Sequence, residues 1–169
     1  MSDTLRVAGL VNDSIVDGPG FRFAVFVQGC PHHCPGCHNP SSHDPNGGEV
    51  VTLEEIEARI AKNPMLTGVT FSGGEPFEQA AALAVLGRWV KAQGLELAVY
   101  SGYTFEQLLE KDGARELLDI TDTLIDGRFE LAQKSLLLRF KGSKNQRVLD
   151  VQASLKAGKA VLDASDRWE

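Results

Sequence analysis

Cys30, Cys34 and Cys37 are the three cysteines of this chain, and all fall in one run, Cys30-Pro31-His32-His33-Cys34-Pro35-Gly36-Cys37. Thiolates spaced C-x3-C-x2-C can converge on one inorganic core from a single loop. Three ligands for a four-iron cube leave the fourth iron open to bind and activate something else, which is chemistry rather than electron storage alone. Other readings use the same residues. His32, His33, His38 and His43 crowd the stretch, and zinc accepts thiolate and imidazole alike, so a Cys3His zinc site competes with the cluster. Cys34-Pro35-Gly36-Cys37-His38 also matches the C-x-x-C-H haem-attachment pattern, which belongs mostly to exported proteins. The start Met1-Ser2-Asp3-Thr4 has neither the basic n-region nor the apolar h-region of an export signal. A disulfide fits least, because pairing Cys34 with Cys37 leaves Cys30 alone. The iron–sulfur reading leads.

A loop of this kind needs a frame. Phe21 to Val27 is an aromatic and β-branched run that follows the turn former Asp17-Gly18-Pro19-Gly20, so it reads as a strand delivering the cysteines at its end. After a Gly/Pro/Asn-rich loop to Gly48, Thr52-Leu53-Glu54-Glu55 reads as a capping box for a helix that Pro64 closes. Gly68–Phe71 reads as a strand, Ser72-Gly73-Gly74-Glu75-Pro76 as a turn, and Phe77 to Gln93 as a helix stopped by Gly94. Leu95–Tyr100 is the next strand, Thr104–Gln107 a second capping box, and Thr123–Asp126 and Arg147–Val151 two further strands. Alternating strands and helices predict parallel βαβ units, with ligands gathered at the carboxyl ends of the strands. A complete eight-unit barrel takes about 250 residues. The expectation for 169 residues is therefore an α/β fold, a partial, open (βα) barrel of about five or six mainly parallel strands, forming one domain over residues 1–169.

Composition narrows the partners. Seventeen Lys and Arg against 23 Asp and Glu give a net charge of −6 with no basic stripe, which argues against nucleic acid. The longest apolar stretch, around Ala80 to Leu86, is far below the roughly 20 residues that span a bilayer. The expectation is a cytoplasmic protein, in a compartment where thiols stay reduced and available to metal.

Cys30-x3-Cys34-x2-Cys37 after the first strand and Ser72-Gly73-Gly74-Glu75-Pro76 after the next resemble the radical S-adenosylmethionine (SAM) superfamily. Within it, the closest resemblance is to the activating enzymes of anaerobic (class III) ribonucleotide reductase. That likeness rests on Asp17-Gly18-Pro19-Gly20-Phe21-Arg22, Gln28-Gly29-Cys30, Cys37-His38-Asn39-Pro40, Ser101-Gly102-Tyr103-Thr104-Phe105-Glu106, Ile125-Asp126-Gly127 and Gly142-Ser143-Lys144-Asn145-Gln146-Arg147. It implies a 4Fe-4S cluster on Cys30, Cys34 and Cys37, with SAM chelating the fourth iron and yielding a 5′-deoxyadenosyl radical. The radical would take a hydrogen from a glycine of the reductase, and a flavodoxin-type or ferredoxin-type protein would supply the electron. Activation of pyruvate formate-lyase or another glycyl-radical enzyme is the alternative within this chemistry. A non-catalytic zinc or iron–sulfur interaction module is the remote alternative outside it.

The resemblance also places Gly36, Cys37, His38, Ser72, Gly73, Gly74, Glu75, Ser101 and Asp126 around SAM, and Asp17 and Arg22 beside the arriving glycine loop. The family's usual aromatic residue before the third cysteine is replaced by Gly36, which leaves backbone rather than a ring to meet adenine. Plainer readings stand beside these. Gly73-Gly74 also suits a strand-to-helix turn, and Asp126-Gly127 a simple turn. His38 and Arg22 suit solvated side chains, and Tyr103 suits packing.

Overall fold

The strand that delivers the cysteines shows why the fold forms. In the computed structural model, which describes residues 3–37 and 40–168, Phe23, Ala24, Val25 and Val27 are fully buried. A strand buried on both faces belongs in the middle of a sheet covered on each side. In chain order the elements are β1 (Thr4–Ser14), β2 (Arg22–Val27), β3 (Glu49–Thr52), α1 (Leu53–Ala61), β4 (Gly68–Gly73), α2 (Ala80–Ala92) and β5 (Glu96–Tyr100). They are followed by α3 (Phe105–Glu110), α4 (Arg115–Asp119), β6 (Thr123–Asp126), β7 (Arg147–Asp150) and α5 (Val151–Ala157).

The strands form one seven-stranded sheet in the order β3-β1-β2-β4-β5-β6-β7. Its centre, β2-β4-β5-β6, is parallel, while β1 lies antiparallel to both β2 and β3, and β7 antiparallel to β6. This is the open (βα) barrel the alternation predicts, with β1 and β3 added at one edge. Val151 belongs to α5 rather than to β7, because Asp150 caps that helix by accepting from the amide of Ala153 at 3.1 Å. Of the two capping boxes, Thr104–Gln107 is complete, whereas Thr52 accepts from Glu55 in one direction only. The helix expected from Phe77 begins as a 3-10 turn at Pro76–Gln79 before α2 takes over. Among the described residues no helix is long and apolar enough to cross a membrane.

The period of two along each strand separates two environments. Phe23, Val25, Val27, Val69, Phe71, Leu97 and Val99 face the helices and pack with Ile56, Leu83, Leu86, Leu108 and Leu117 in the main core. The alternate residues line the concave side, where Ala98 and Ile125 pack with Phe140 and Trp168. Arg22 starts β2 on that concave side and closes its lower end. Its guanidinium pairs with Glu96, reaches Pro19 O at 2.9 Å, and lies 5.1 Å from the Trp168 ring. Arg167 holds the outer side of Glu96 at 2.7 Å. The lower end is plugged; the upper end, where β2, β4, β5 and β6 finish, stays open.

Candidate active site

At that open end lies a cavity of about 470 Å³. Its wall takes Cys30, Cys34 and Cys37 from the loop after β2, Ser72, Gly73 and Gly74 from the end of β4, Ser101 and Gly102 from the end of β5, and Gly127 from beyond β6. Phe26 and Tyr100 project into it from the concave face, and Asp17 reaches it from the segment before β2. Strand carboxyl ends converge in this way because every parallel strand must be followed by a loop on the same side.

The cysteine loop is held by its backbone. The Gly29 amide donates to Ser42 O at 2.6 Å, the Cys30 amide to His43 O at 3.1 Å, and the Cys37 amide to Cys34 O at 3.1 Å. None of the three cysteines is in a disulfide, and all are partly accessible. Burial pushes the thiols of Cys30 and Cys34 above the usual range, opposed in part by the backbone of His32 and Phe129 respectively. A bound metal cation reverses that balance and deprotonates a coordinating thiol outright. Among the described residues no three Cys, His, Asp or Glu side chains gather around a single metal-ion position. A four-iron cube asks for a different arrangement, with thiolates spread over its corners rather than gathered at one point, and three thiols on one cavity wall suit it.

Gly73 and Gly74 meet β2 and the cysteine loop at close quarters. Gly73 has φ +94°, and a Cβ there would come within 2.5 Å of Val27 N. A Cβ on Gly74 would lie 2.3 Å from Gly29 O, the residue before the first cysteine. The pair is therefore required by chain packing as well as presented to the cavity. Gly74→Val is expected to disturb the cysteine loop and the turn together, lowering iron uptake and SAM binding each by tenfold or more, since backbone has no room to yield. Iron analysis and equilibrium dialysis with SAM measure the two losses; normal values for both would mean that the loop tolerates the added side chain.

Several expected cofactor residues turn away from the cavity. The Glu75 carboxylate is fully buried and accepts four hydrogen bonds, from His32 Nε2 at 2.6 Å, Ser101 Oγ at 2.8 Å, and the amides of Gly102 at 2.8 Å and Phe77 at 3.0 Å. Asp126 stands behind the wall, taking the Phe105 amide at 2.8 Å and the Arg147 guanidinium at 3.0 and 2.5 Å, so its oxygens tie α3 and β7 to the end of β6. Arg22 is 1% exposed and forms part of the lower plug, paired with Glu96. Gly36, with φ +72°, packs under Leu131 outside the cavity wall. His38 lies outside the described residues. Tyr103 packs edge-on against His32, with centroids 4.5 Å apart. Of the expected set, the cavity brings together Cys30, Cys34, Cys37, Ser72, Gly73, Gly74, Ser101 and Asp17.

What composition and motif did not reveal is the arm that walls the other side. Residues 127–146 contribute Phe129, Leu136, Leu138 and Phe140 to the cavity. The polar run Gly142–Arg147 pins this arm. Gln146 accepts from the Gly142 amide at 2.8 Å and donates to Gly127 O at 3.0 Å, while Asn145 donates to Arg128 O at 2.8 Å and Ser143 accepts from the Glu130 amide at 3.1 Å. A glycine–serine–amide cluster before a strand signals such a knot, but its partners, up to 19 residues away, are not readable from it.

Comparison with known proteins agrees with this site. The family described as "4Fe-4S single cluster domain" matches residues 16–149. The anaerobic ribonucleoside-triphosphate reductase-activating protein of Enterobacteria phage T4 is 34% identical over 142 residues, which cover 79% of this chain and 86% of the relative. The protein of the same name from Vibrio cholerae is 36% identical over 141 residues, covering 78% and 89%. Pyruvate formate-lyase-activating enzyme of Clostridium pasteurianum is 37% identical over 131 residues, covering 72% of this chain and 55% of that enzyme. In fold, the crystal structure of QueE from Escherichia coli matches with a TM-score of 0.50 at 14% identity, over 60% of this chain and 53% of that one. With the cysteine array on the mouth of an open barrel and relatives matched over most of their length, the chain belongs to the 4Fe-4S single cluster domain family, among the anaerobic ribonucleoside-triphosphate reductase-activating proteins.

Proposed function

We propose that the protein activates anaerobic ribonucleoside-triphosphate reductase by removing a hydrogen atom from the α-carbon of a reductase glycine, leaving a glycyl radical on that partner. The observation that carries this reading is the convergence of three thiols and the Ser72–Gly74 turn on one open cavity of about 470 Å³. The cofactors are a 4Fe-4S cluster and SAM, which when bound together supply a 5′-deoxyadenosyl radical after one-electron reduction. Cys30, Cys34 and Cys37 would hold three irons. The side-chain-free edge at Gly73 and Gly74 would take the amino-acid end of SAM. Phe26, Tyr100, Phe129 and Phe140 give the cavity apolar wall surface, against which a reactive radical would be shielded once the mouth is closed. Pro31, Pro35 and Gly36 are exposed on the outer side of the cysteine loop, which supports electron delivery there by a flavodoxin-type or ferredoxin-type donor.

Pyruvate formate-lyase as target is the second reading, favoured by the Clostridium pasteurianum enzyme, although this chain spans only 55% of that relative. Anaerobic protein reconstituted with iron and sulfide is mixed with SAM, dithionite and either target, and electron spin resonance reads the product. A glycyl doublet on the ribonucleotide reductase alone is the expected result. A doublet confined to pyruvate formate-lyase would transfer the assignment to that target. Zinc in place of iron, with no SAM cleavage, would reduce the protein to an interaction module.

A further inference from the structure

We infer that Glu75 and His32 are positioning residues which lock the cysteine loop in register with the Ser72–Gly74 turn, an inference that rests on the function proposed above and makes neither side chain a ligand of iron or SAM. Glu75 follows the glycine pair directly, yet its carboxylate is fully buried and its two oxygens each receive two donors. Three of those donors, Phe77, Ser101 and Gly102, belong to segments at the ends of β4 and β5. The fourth, His32 Nε2 at 2.6 Å, comes from the cysteine loop. A carboxylate accepts only, so the shared hydrogen is carried by His32.

The attachment has two points. The backbone amide of Glu75 donates to Gly29 O at 2.8 Å, and its side chain takes His32. The backbone bonds of Gly29 and Cys30 to Ser42 and His43 tether the base of the loop, and the His32 contact adds a point beyond Cys30 that fixes the orientation of the segment carrying the thiols. His32 lies two residues from both Cys30 and Cys34, so movement of its ring carries both thiols. The ring itself is confined. It meets Tyr103 edge-on at 4.5 Å, and its Cδ2 lies where a methyl on Gly102 would come within 2.4 Å. Glycine at 102 thus makes room for the histidine. Placement matters because a misplacement of about 1 Å between reacting groups costs roughly 100-fold in rate.

Amide hydrogen exchange on the iron-free protein reads the clasp without any cofactor. His32→Phe keeps the ring and removes the donor; exchange across residues 29–37 is expected to accelerate about tenfold or more, with β4 unchanged. His32→Gln, which restores an N–H donor, should return it toward the wild-type rate. Gly102→Ala, which keeps every hydrogen-bonding atom, should loosen the same segment by displacing the ring. In reconstituted enzyme, His32→Phe should raise the KM for SAM by about 10- to 100-fold while iron content holds. Unchanged exchange together with unchanged KM in His32→Phe would overturn the proposal. So would loss of iron with unchanged exchange, which would make His32 an iron ligand. Wild-type protein that takes up no iron would instead sink the proposed function, and the exchange comparison would still decide the clasp.

Discussion

Cys30→Ala, Cys34→Ala and Cys37→Ala are each expected to abolish SAM cleavage, to below 1% of the wild-type rate, because a three-thiolate site has no ligand to spare. Among the described histidines, His32, His33 and His43 are each held away from the role of replacement ligand. His32 is committed to Glu75 and confined between Tyr103 and Gly102, and His33 stacks edge-on with His43 at 5.5 Å, beside a different cavity. The loss should be specific, since the core that holds the fold, Phe23, Val25, Val27, Val69 and Phe71, contains no cysteine. Circular dichroism should therefore report an intact fold while the chromophore and the production of 5′-deoxyadenosine disappear. Full SAM cleavage by Cys34→Ala would refute the ligand assignment. A thermal midpoint close to wild type separates loss of ligand from loss of structure, because small loop substitutions away from packed features change stability by only about 0.5 kcal/mol.

The central strands were legible because burial on both faces leaves a continuous apolar run, as in Phe23-Ala24-Val25-Phe26-Val27. β1 was not, because only Leu5, Val7 and Ser14 of its residues are buried, and its pairing with β2 is broken by irregular register at Val7/Gly9 and Val11/Ser14. β3 has no fully buried residue and owes its conformation to β1, a partner no local pattern names. The cysteine array announced itself because ligand spacing along one loop is a local property. The partners of Glu75, Asp126 and Arg22 were not legible, for the opposite reason. The positions of these three residues in motifs were visible, but their partners His32, Arg147 and Glu96 lie 43, 21 and 74 residues away, and those partners decide where each charged group points. A charged side chain beside an active site is as readily used to hold the wall as to touch the ligand, since burying it unpaired would cost several kcal/mol.

The same geometry predicts that SAM cleavage depends on the reductase. The cavity mouth is bordered by the 127–146 arm, where Leu136 is 91% exposed, and the described chain sets no segment across the opening. A radical generated in a wet cavity is quenched by side reactions, and closure of a site by a partner segment excludes the water that permits them. Without the reductase, cleavage is therefore expected to be slow and to draw hydrogen from solvent-exchangeable or adventitious sources. With it, turnover should rise by about 100-fold, in the range that orientation and closure supply. Deuterium on the α-carbons of the reductase's glycines tests the transfer itself: 5′-deoxyadenosine formed with labelled reductase should carry one deuterium, and that formed without reductase none. A glycyl radical appearing on the reductase while 5′-deoxyadenosine stays unlabelled would mean that the hydrogen leaves by another route, and direct abstraction at this cavity would be wrong.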